Sequence, residues 1–419
     1  MNPSQLQHST TVLAELLSFK HPADAVVSGY FRQHPKLGRQ DRHEIAETAF
    51  AALRHLEKIQ AFLNGQARKQ PRLSALCALV LGRDASVGSL KTLLTEEETA
   101  QLSRLKGEKE RFSSHLNTAA ELPNWLIEIL QNDHDDDTIR QLGRAMSQAA
   151  PLDLRVNTQK AKRDKVLAQL QAEGLAASAT PYSPWGIRLS EKIALNKHPL
   201  FLDGSVEVQD EGSQLLALIT GARRGEMVVD FCAGAGGKTL ALGAMMANSG
   251  RLYAWDIAEK RLANLKPRLA RAGLSNIHPE RIAHEHDARI KRLAGKADRV
   301  LVDAPCSGLG TLRRNPDLKY RQSLASIAQL QQQQYSILQA AANLVKPGGT
   351  LVYATCSLLA AENQQPVERF LAQQPLFRLA DCHALLAGYK IDLDTGTYLN
   401  LNPATHQTDG FFAAVLVRQ

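Results

Sequence analysis

The 419-residue sequence lacks several patterns that would place it in a familiar class of proteins. It has no apolar run long enough to span a bilayer, and its first eight residues lack the basic segment and apolar core of a secretory signal. Its five cysteines are odd in number and include no Cys-x-x-Cys pair. Together these two observations argue against a disulfide framework and a structural zinc site. We therefore predict a cytoplasmic protein with free thiols and no metal centre, and we expect a monomer.

What the chain does have is length and an excess of positive charge. A chain of 419 residues is too long for one ordinary core, so we expect two or three domains. Lysine and arginine total 50 against 42 acidic residues, which gives a net charge of +8 and a pI of about 9.2. This excess favours a polyanionic partner, most simply nucleic acid, although charge alone does not identify one.

The pattern of apolar residues divides the chain into three predicted domains. Residues 1–145 show helical spacing and no strand alternation, and Asp41 is predicted to cap a helix there, with Glu44 at the capping-box position. Residues 146–204 read as a small β-α-β module. In residues 205–419 strands alternate with helices, which is typical of an α/β domain with a parallel sheet; its predicted strands are 227–231, 252–255, 299–302, 350–354 and 411–417.

A glycine-rich turn follows the first strand of the third domain. A phosphate-binding P-loop would need glycine where Cys232 stands, and a dinucleotide fingerprint would need glycine where Thr239 stands, so ATP and NAD are both disfavoured. Asp256 lies 20 residues after Gly236 at a strand end, where a carboxylate can accept hydrogen bonds from a ribose diol. A ribose-bearing ligand without a pyrophosphate remains, and S-adenosylmethionine is the common one. Asp287 is a further candidate contact, near the adenine; a strand-end cap is the alternative for each acid.

Two cysteines stand in similar loops after strand-like runs. Residues 303–308 read Asp-Ala-Pro-Cys-Ser-Gly, and residues 353–357 read Tyr-Ala-Thr-Cys-Ser. If the two strands are neighbours, Cys306 and Cys356 reach one crevice at the carboxyl ends of the strands. Two thiols and Asp303 suit covalent chemistry at C6 of a pyrimidine. A thiolate added to C6 makes C5 nucleophilic, while an acid protonates N3 or donates a hydrogen bond to it. A thiol of pKa near ~8.5 needs a positive field, for which Lys238 is a candidate.

Packing is the alternative for any single cysteine, because free cysteines are often buried. It fits the Asp-Ala-Pro-Cys-Ser-Gly loop poorly, since proline ends the strand there and serine and glycine pack little. From their contexts, the remaining cysteines are predicted to be packing residues: Cys77, Cys232 and Cys382.

The chain resembles the RsmB-like (Sun/NSUN) family of RNA cytosine-C5 methyltransferases. The matching motifs run from residue 151 to the end of the chain and occupy residues 154–158, 208–211, 232–239, 303–308, 313–317, 346–349, 353–357, 362–363 and 409–412. The resemblance implies a Rossmann-like class I methyltransferase domain, a ferredoxin-like small module and a NusB-like helical domain at the start of the chain. It also implies methyl transfer from S-adenosylmethionine to cytosine C5 in RNA, which we expect to be small-subunit rRNA.

The resemblance also assigns roles to individual residues. It implies that Cys356 attacks C6 and that Cys306 assists product release, a choice that the spacing leaves open. It implies that the cofactor is bound by Cys232, Ala233, Gly234, Ala235, Gly236, Gly237, Lys238, Asp256, Asp287 and Asp303. The family usually has Ala-Ala-Pro-Gly-Gly-Lys where residues 233–238 read Ala-Gly-Ala-Gly-Gly-Lys, so we expect a more mobile loop and a lower cofactor affinity.

Basic residues in two regions are candidates for contact with RNA. One cluster directly follows the Cys306 loop, and either phosphate binding or a solvated helix start would explain it: Arg313, Arg314, Lys319, Tyr320 and Arg321. The small module carries the other: Arg155, Lys160, Lys162 and Arg163. The competing hypothesis is a non-catalytic RNA-binding ribosome assembly factor that keeps a methyltransferase fold. An N6-adenine methyltransferase is set aside, because residues 303–306 lack the Pro-Pro-aromatic loop that it needs.

Overall fold

The computed structural model describes residues 1–191 and 193–419, which form two compact units. One unit comprises Met1–Ala149 and Thr311–Leu324, and the other Ala150–Gly310 and Ala325–Gln419. Among the described helices, none combines the length and apolar composition that a bilayer span needs. In chain order the α-helices are α1 Pro3–Leu16, α2 Ala23–Gln33, α3 Arg39–Arg54, α4 Leu56–Phe62, α5 Pro71–Gly82, α6 Glu96–Gly107, α7 Lys109–Ser114, α8 Leu116–Ala120, α9 Asn124–Leu130, α10 Asp136–Met146, α11 Arg163–Ala172, α12 Pro199–Leu202, α13 Glu211–Thr220, α14 Gly237–Met245, α15 Glu259–Ala272, α16 Ala288–Arg292, α17 Leu318–Arg321, α18 Leu324–Ala342, α19 Gln364–Gln373, α20 Cys382–Gly388 and α21 Pro403–His406.

The first unit is built from α1–α10 and contains no strand among its described residues, as the sequence predicts. Its core is a cluster of leucine, isoleucine, valine and alanine side chains from α1 to α7. Asp41 does not cap α3 in the predicted way, because α3 begins two residues earlier, after Gly38. Asp41 instead occupies the third helical position, and its carboxylate accepts a hydrogen bond from the Gly38 backbone N–H at 3.2 Å.

Segment 311–324, which includes α17, is part of the first unit although it follows the Cys306 loop in the chain. The Ala23 N–H donates to Asp317 Oδ2 at 3.2 Å, and the Tyr320 ring stacks on the Phe19 ring with 5.0 Å between the ring centres. Lys319 is 3% exposed, and its ammonium donates to the carbonyl oxygens of Arg54 and Glu121 at 3.2 and 2.6 Å. Burial lowers the pKa of Lys319 to about 8, with Glu121 and Glu57 partly offsetting it.

These contacts correct the interpretation of the basic cluster. A solvated helix start and a phosphate site both need exposed cations, whereas Lys319 and Arg313 are buried. The remaining members, Arg314, Tyr320 and Arg321, are half-buried. The cluster completes the interior of a helical unit, because its long side chains carry apolar stems as well as charge.

The small module of the second unit is a four-stranded antiparallel sheet with α11 packed on it. Its strands are β1 Leu152–Val156, β2 Ala177–Ala179, β3 Gly186–Leu189 and β4 Val206–Val208, in the order β2-β3-β1-β4. β4 pairs with β1, so the predicted boundary after residue 204 leaves out the last strand of this sheet. Three residues are too few to show an alternating pattern, which is why the sequence did not place β4 here.

The main sheet of the second unit has the order β10-β12-β9-β8-β5-β6-β7, with β11 also paired to β12. Its strands are β5 Met227–Asp230, β6 Arg251–Asp256, β7 Ile277–Arg281, β8 Ala297–Asp303, β9 Val345–Thr355, β10 Phe377–Ala380, β11 Leu399–Leu401 and β12 Phe411–Arg418. The five strands from β9 to β7 are parallel, and β12 and β10 are antiparallel additions. Separate apolar clusters cover the two faces, with α13–α15 and α20 on one and α16, α18 and α19 on the other. The predicted α/β domain is therefore confirmed.

Candidate active site

The predicted site residues stand at the carboxyl ends of four parallel strands. β5 ends at Asp230, β6 at Asp256, β8 at Asp303 and β9 at Thr355, immediately before Cys356. Because β9, β8, β5 and β6 are consecutive neighbours, their ends and the loops that follow lie along one edge of the sheet. Open α/β sheets bind ligands at this edge, next to the point where the strand order reverses.

The structure brings the two predicted thiols into contact. Cys306 Sγ and Cys356 Sγ are 3.4 Å apart, and the Cys356 backbone N–H also donates to Cys306 Sγ at 3.4 Å. Both thiols are free and half-buried. Two backbone hydrogen bonds fix the loops together: the Ala304 N–H donates to Ala354 O, and the Gly310 N–H donates to Cys356 O. The expectation that Cys306 and Cys356 share one crevice is confirmed.

Lys238 and Asp303 form an ion pair beside these thiols, with 2.7 Å between Lys238 Nζ and Asp303 Oδ2. Lys238 stands in the first turn of α14, and its ammonium lies 5.6 Å from the centre of the Phe411 ring. Burial alone would lower the pKa of Lys238, but the charges of Asp303 and of a thiolate at Cys356 outweigh it, so the pKa is raised. The site therefore holds a positive charge that acts on Cys356.

The two thiols differ in their electrostatic surroundings. The hydrogen bond with Cys356, burial, and the negative charges of Cys356 and Glu362 raise the pKa of Cys306 well above its usual range. Cys356 is the thiol that interacts with the Lys238 ammonium. Of the pair, Cys306 therefore keeps its proton, while Lys238 supplies a positive charge of the kind that stabilises a thiolate on the side of Cys356.

The glycine-rich loop has a backbone that other residues would not adopt. Gly236, which precedes α14, has φ +84°, and a Cβ there would lie 2.2 Å from Leu265 Cδ1. Gly234 has φ +57°, and a Cβ there would meet nothing within 4 Å, so this part of the loop faces open space. Asp256 holds the loop, because its carboxylate accepts hydrogen bonds from the N–H groups of Gly234 and Ala258 at 2.8 and 2.7 Å.

Arg155 anchors the other end of this loop. Its guanidinium donates to Gly237 O at 2.6 Å and to Gln209 Oε1 at 2.5 Å, and the residue is 3% exposed. The prediction that Arg155 belongs to a basic RNA-binding surface is therefore wrong. Lys160 also donates hydrogen bonds inside its unit, to Asp203 O and Arg271 O. Lys162 is exposed and takes part in none of these hydrogen bonds.

Asp230 is a buried carboxylate at the end of β5, just before the glycine-rich loop. The sequence predicts no role for it. Its Oδ2 accepts a hydrogen bond from Thr239 Oγ1 at 2.6 Å, while Oδ1 has no hydrogen-bond partner among the described residues. Burial raises the pKa of Asp230 to about 7; the Thr239 hydrogen bond opposes this, and the charges of Asp303 and Asp256 add to it. The only signal in the sequence was its place at the end of a strand before the glycines.

Asp287 and Cys232, the other predicted cofactor contacts, have structural partners of their own. Asp287 caps α16 and accepts hydrogen bonds from the N–H groups of Ala283 and Arg289 at 3.0 and 2.9 Å, which lower its pKa. Burial, first, and three nearby carboxylates raise the pKa of the Cys232 thiol well above its usual range. Cys232 therefore stays a thiol, and a role for either residue in cofactor binding remains a prediction.

The crevice suits a cationic ligand. Asp230, Asp256 and Asp303 lie close enough for their charges to interact, while Lys238 neutralises only one of them. The unpartnered Asp230 Oδ1 can accept a hydrogen bond, and the open side of Gly234 leaves room for a ligand against the loop.

Two family models match the chain. The first, described as 16S rRNA methyltransferase RsmB/F, matches residues 217–417, which include the glycine loop, Asp256, Asp303 and both cysteines. The second, described as the ferredoxin-like domain of RsmF/B-like methyltransferases, matches residues 122–196, which include three of the four strands of the small sheet. The expected Rossmann-like and ferredoxin-like parts are thereby confirmed.

Curated relatives agree with these models. The chain is 38% identical over 298 residues to a probable ribosomal RNA small subunit methyltransferase B from Synechocystis, covering 70% of this chain and 66% of that protein. It is 36% identical over 316 residues to ribosomal RNA small subunit methyltransferase B from Klebsiella pneumoniae, covering 74% and 68%. A solved structure named PH0851 matches 99% of both chains with a TM-score of 0.78 and 25% identity. The chain belongs to the RsmB-like family of bacterial rRNA methyltransferases.

Proposed function

We propose that the protein transfers a methyl group from S-adenosylmethionine to C5 of a cytosine in small-subunit rRNA, through a covalent bond between Cys356 and C6 of the base. The observation that carries this proposal is the contact of two thiols beside an ion-paired lysine and aspartate at the ligand-binding edge of the sheet. The names of the relatives support small-subunit rRNA as the substrate.

The residues around the glycine loop fit S-adenosylmethionine. Its sulfonium and ammonium groups are cationic, and the carboxylates of Asp256 and Asp303 stand in this crevice with Asp230, which binds a proton more readily than an ordinary aspartate. Asp230 Oδ1 is a buried acceptor in need of a donor, and Asp256 stands where a ribose diol would be bound. When bound, the cofactor supplies an electrophilic methyl group.

The covalent step begins at Cys356. Its thiolate, in the field of the Lys238 ammonium, attacks C6, so that a C6–S bond forms and the electron pair of the C5–C6 double bond shifts to C5 and through C4 towards N3. The Lys238–Asp303 pair supplies the proton or hydrogen bond that N3 needs as negative charge develops there. C5 then becomes the nucleophile that takes the methyl group, as the bond between that methyl and the sulfonium breaks with its electron pair left on sulfur.

Release reverses this addition. The C5 proton passes to a base and on to solvent, its electron pair rebuilds the double bond, and the C6–S bond breaks with Cys356 leaving as a thiolate. The proton at N3 returns to the Lys238–Asp303 pair. Cys306, which keeps its proton and touches Cys356, stabilises the departing thiolate by donating a hydrogen bond to it.

A direct assay tests the proposal. The full chain is incubated with methyl-labelled S-adenosylmethionine and with rRNA from a strain that lacks the corresponding gene, and the labelled nucleoside is identified after digestion. We expect 5-methylcytidine in small-subunit rRNA. Label in another nucleoside would overturn the cytosine assignment. No transfer, together with no melting shift at millimolar cofactor, would favour a non-catalytic assembly factor.

A further inference from the structure

Glu362 lies fully buried between the two cysteine loops. Its relative exposure is 0%, and it stands in a short 3-10 turn, Ala360–Glu362, just before α19. Its Oε2 accepts hydrogen bonds from the hydroxyls of Ser307 and Ser357, each at 2.5 Å. Ser307 directly follows Cys306, and Ser357 directly follows Cys356, so a single oxygen atom joins the two loops.

The other oxygen of Glu362 extends this connection. Oε1 accepts from the Ser307 N–H at 2.8 Å and from Gln334 Nε2 at 2.9 Å. Gln334 also donates to the carbonyl of Pro305, the residue before Cys306, at 2.9 Å. Four donors thus share the two oxygens of this buried side chain. A buried charge held by hydrogen bonds alone is costly unless every bond is made.

We propose that Glu362 is a positioning residue for the reaction: its carboxylate fixes the two cysteine loops in register, so that Cys306 stays a proton donor to Cys356. This inference rests on the proposed function for its catalytic consequence, but not for its effect on the thiols. The ionisable groups that face Cys306 are Cys356 and Glu362, and the Tyr353 hydroxyl interacts with it as well. Tyr353 in turn donates to the Glu362 carbonyl at 2.7 Å.

Two consequences separate the charge of Glu362 from its hydrogen bonds. The negative charge disfavours a thiolate at Cys306, so Glu362→Gln frees that thiol to ionise. The variant also replaces one acceptor oxygen by a donor nitrogen, so it loosens the hydrogen bonds that hold the loops. The link to Ser357 sets where Cys356 stands. Ser357→Ala removes that link, together with the 3.2 Å contact between the Ser307 and Ser357 hydroxyls, while leaving the Glu362 side chain and its bonds to Ser307 in place.

The test maps the alkylation of each cysteine by iodoacetamide between pH 6 and 9 in the full-length protein, with neither RNA nor cofactor present. In wild type we expect Cys356 to react faster than Cys306. In Glu362→Gln we expect Cys306 to react about tenfold faster at pH 8, because the loss of a neighbouring negative charge favours its thiolate. In Ser357→Ala the pH profile of Cys306 should match wild type.

Methyl transfer to RNA gives the second readout. We expect kcat to fall about 10²-fold in both variants, with KM for RNA unchanged, because a misplacement of about 1 Å has that effect on a reacting group. Glu211→Gln is the matched control: Glu211 is equally buried in the same unit and accepts from the N–H groups of Tyr182 and Ser183, at 2.6 and 2.7 Å.

The outcomes are distinct. If Glu362→Gln and Ser357→Ala match the control in both alkylation and turnover, the proposal is overturned. If Glu362→Gln fails to fold, Ser357→Ala decides, with a loss of kcat supporting the proposal and wild-type turnover overturning it. If wild type shows no methyl transfer, the proposed function fails, and the alkylation profiles still test the effect of Glu362 on the thiols.

Discussion

The Cys306 and Cys356 loops are nearly equivalent in sequence but not in surroundings. Each follows a buried parallel strand, each places a serine after its cysteine, and both serines bind the same carboxylate oxygen. The difference lies in the nearest charges: Glu362 acts on Cys306, and Lys238 acts on Cys356. Two cysteines in similar loops therefore face charges of opposite sign from groups elsewhere in the chain.

This comparison shows why spacing cannot decide which cysteine is the nucleophile. Residue type and loop shape make both thiols available, whereas the field of neighbouring charges selects one of them. The resemblance to the RsmB-like family assigned attack to Cys356, and the electrostatic asymmetry independently favours the same residue. The predictions below either break this asymmetry or sharpen it.

The largest effect is expected at Cys356 itself. Cys356→Ala should reduce methyl transfer by at least ~10³-fold and form no covalent adduct with RNA, since the variant lacks the sulfur that bonds to C6. Labelled RNA on a denaturing gel and the turnover assay measure both effects. Transfer at the wild-type rate would show that the attacking group lies elsewhere.

Cys306→Ala should separate attack from release. We expect turnover to fall by about 10²-fold or more while a covalent protein–RNA adduct accumulates in the presence of cofactor, because the departing thiolate loses its hydrogen-bond donor. The adduct appears as a band that survives denaturation. It should vanish in the Cys306→Ala/Cys356→Ala double variant, and a band that persists there would contradict the assignment.

Removing the cation should weaken the preference between the thiols. Lys238→Met is expected to slow alkylation of Cys356 at pH 7 by about tenfold, because the reacting thiolate loses a neighbouring positive charge. Lys238→Arg keeps a positive charge and should lose less. Equal rates in wild type and in Lys238→Met would mean that Cys356 draws its reactivity from another source.

Asp230 and Glu362 offer a second comparison, between a buried carboxylate with an unpartnered oxygen and one with four donors. Because folding raises the pKa of Asp230 from 3.8 to about 7, the folded state binds more protons than the unfolded state over this range, and stability falls as pH rises through it. Asp230→Asn cannot ionise, so the variant should gain stability relative to wild type between pH 5 and pH 8, by about 4 kcal/mol at most.

Denaturant unfolding at several pH values measures this gain. The same experiment on Thr239→Val is the control, because it removes the one hydrogen bond to the Asp230 side chain and should lower stability most at high pH, where the carboxylate is charged. A stability difference between Asp230→Asn and wild type that does not change with pH would contradict the raised pKa.

Much of the fold was predictable because its central strands are apolar and long. The strands at β5, β6, β8, β9 and β12 were placed within a few residues of their observed ends, except that β9 begins earlier, at Val345. The missed strands lie at edges or are very short. β7 reads Ile-His-Pro-Glu-Arg, with a proline and no apolar alternation, and such a strand is defined by its pairing with β6 rather than by its own residues.

The site was predictable where chemistry requires unusual residues and unpredictable where it depends on charge pairing in space. Glycines, strand-end acids and cysteines in loops of small residues stand out in the sequence. The burial of Lys319, the contact of Arg155 with the glycine loop and the bridge through Glu362 join residues distant along the chain. From sequence alone a basic residue is predicted to be exposed, and only the structure shows the partner that lets it be buried.

The discontinuity of the helical unit has a consequence for biosynthesis. Segment 311–324 contributes Asp317, Lys319 and Tyr320 to that unit, yet it is translated 162 residues after residue 149. At about 5–20 residues per second, the nascent helices wait roughly 8 to 32 seconds for their last piece. Throughout that interval the half-buried Glu57 and the buried Glu121 lack the lysine that accompanies them in the finished unit. The helical unit therefore cannot reach its final state as an independent early domain, and its completion is timed by the synthesis of the catalytic sequence.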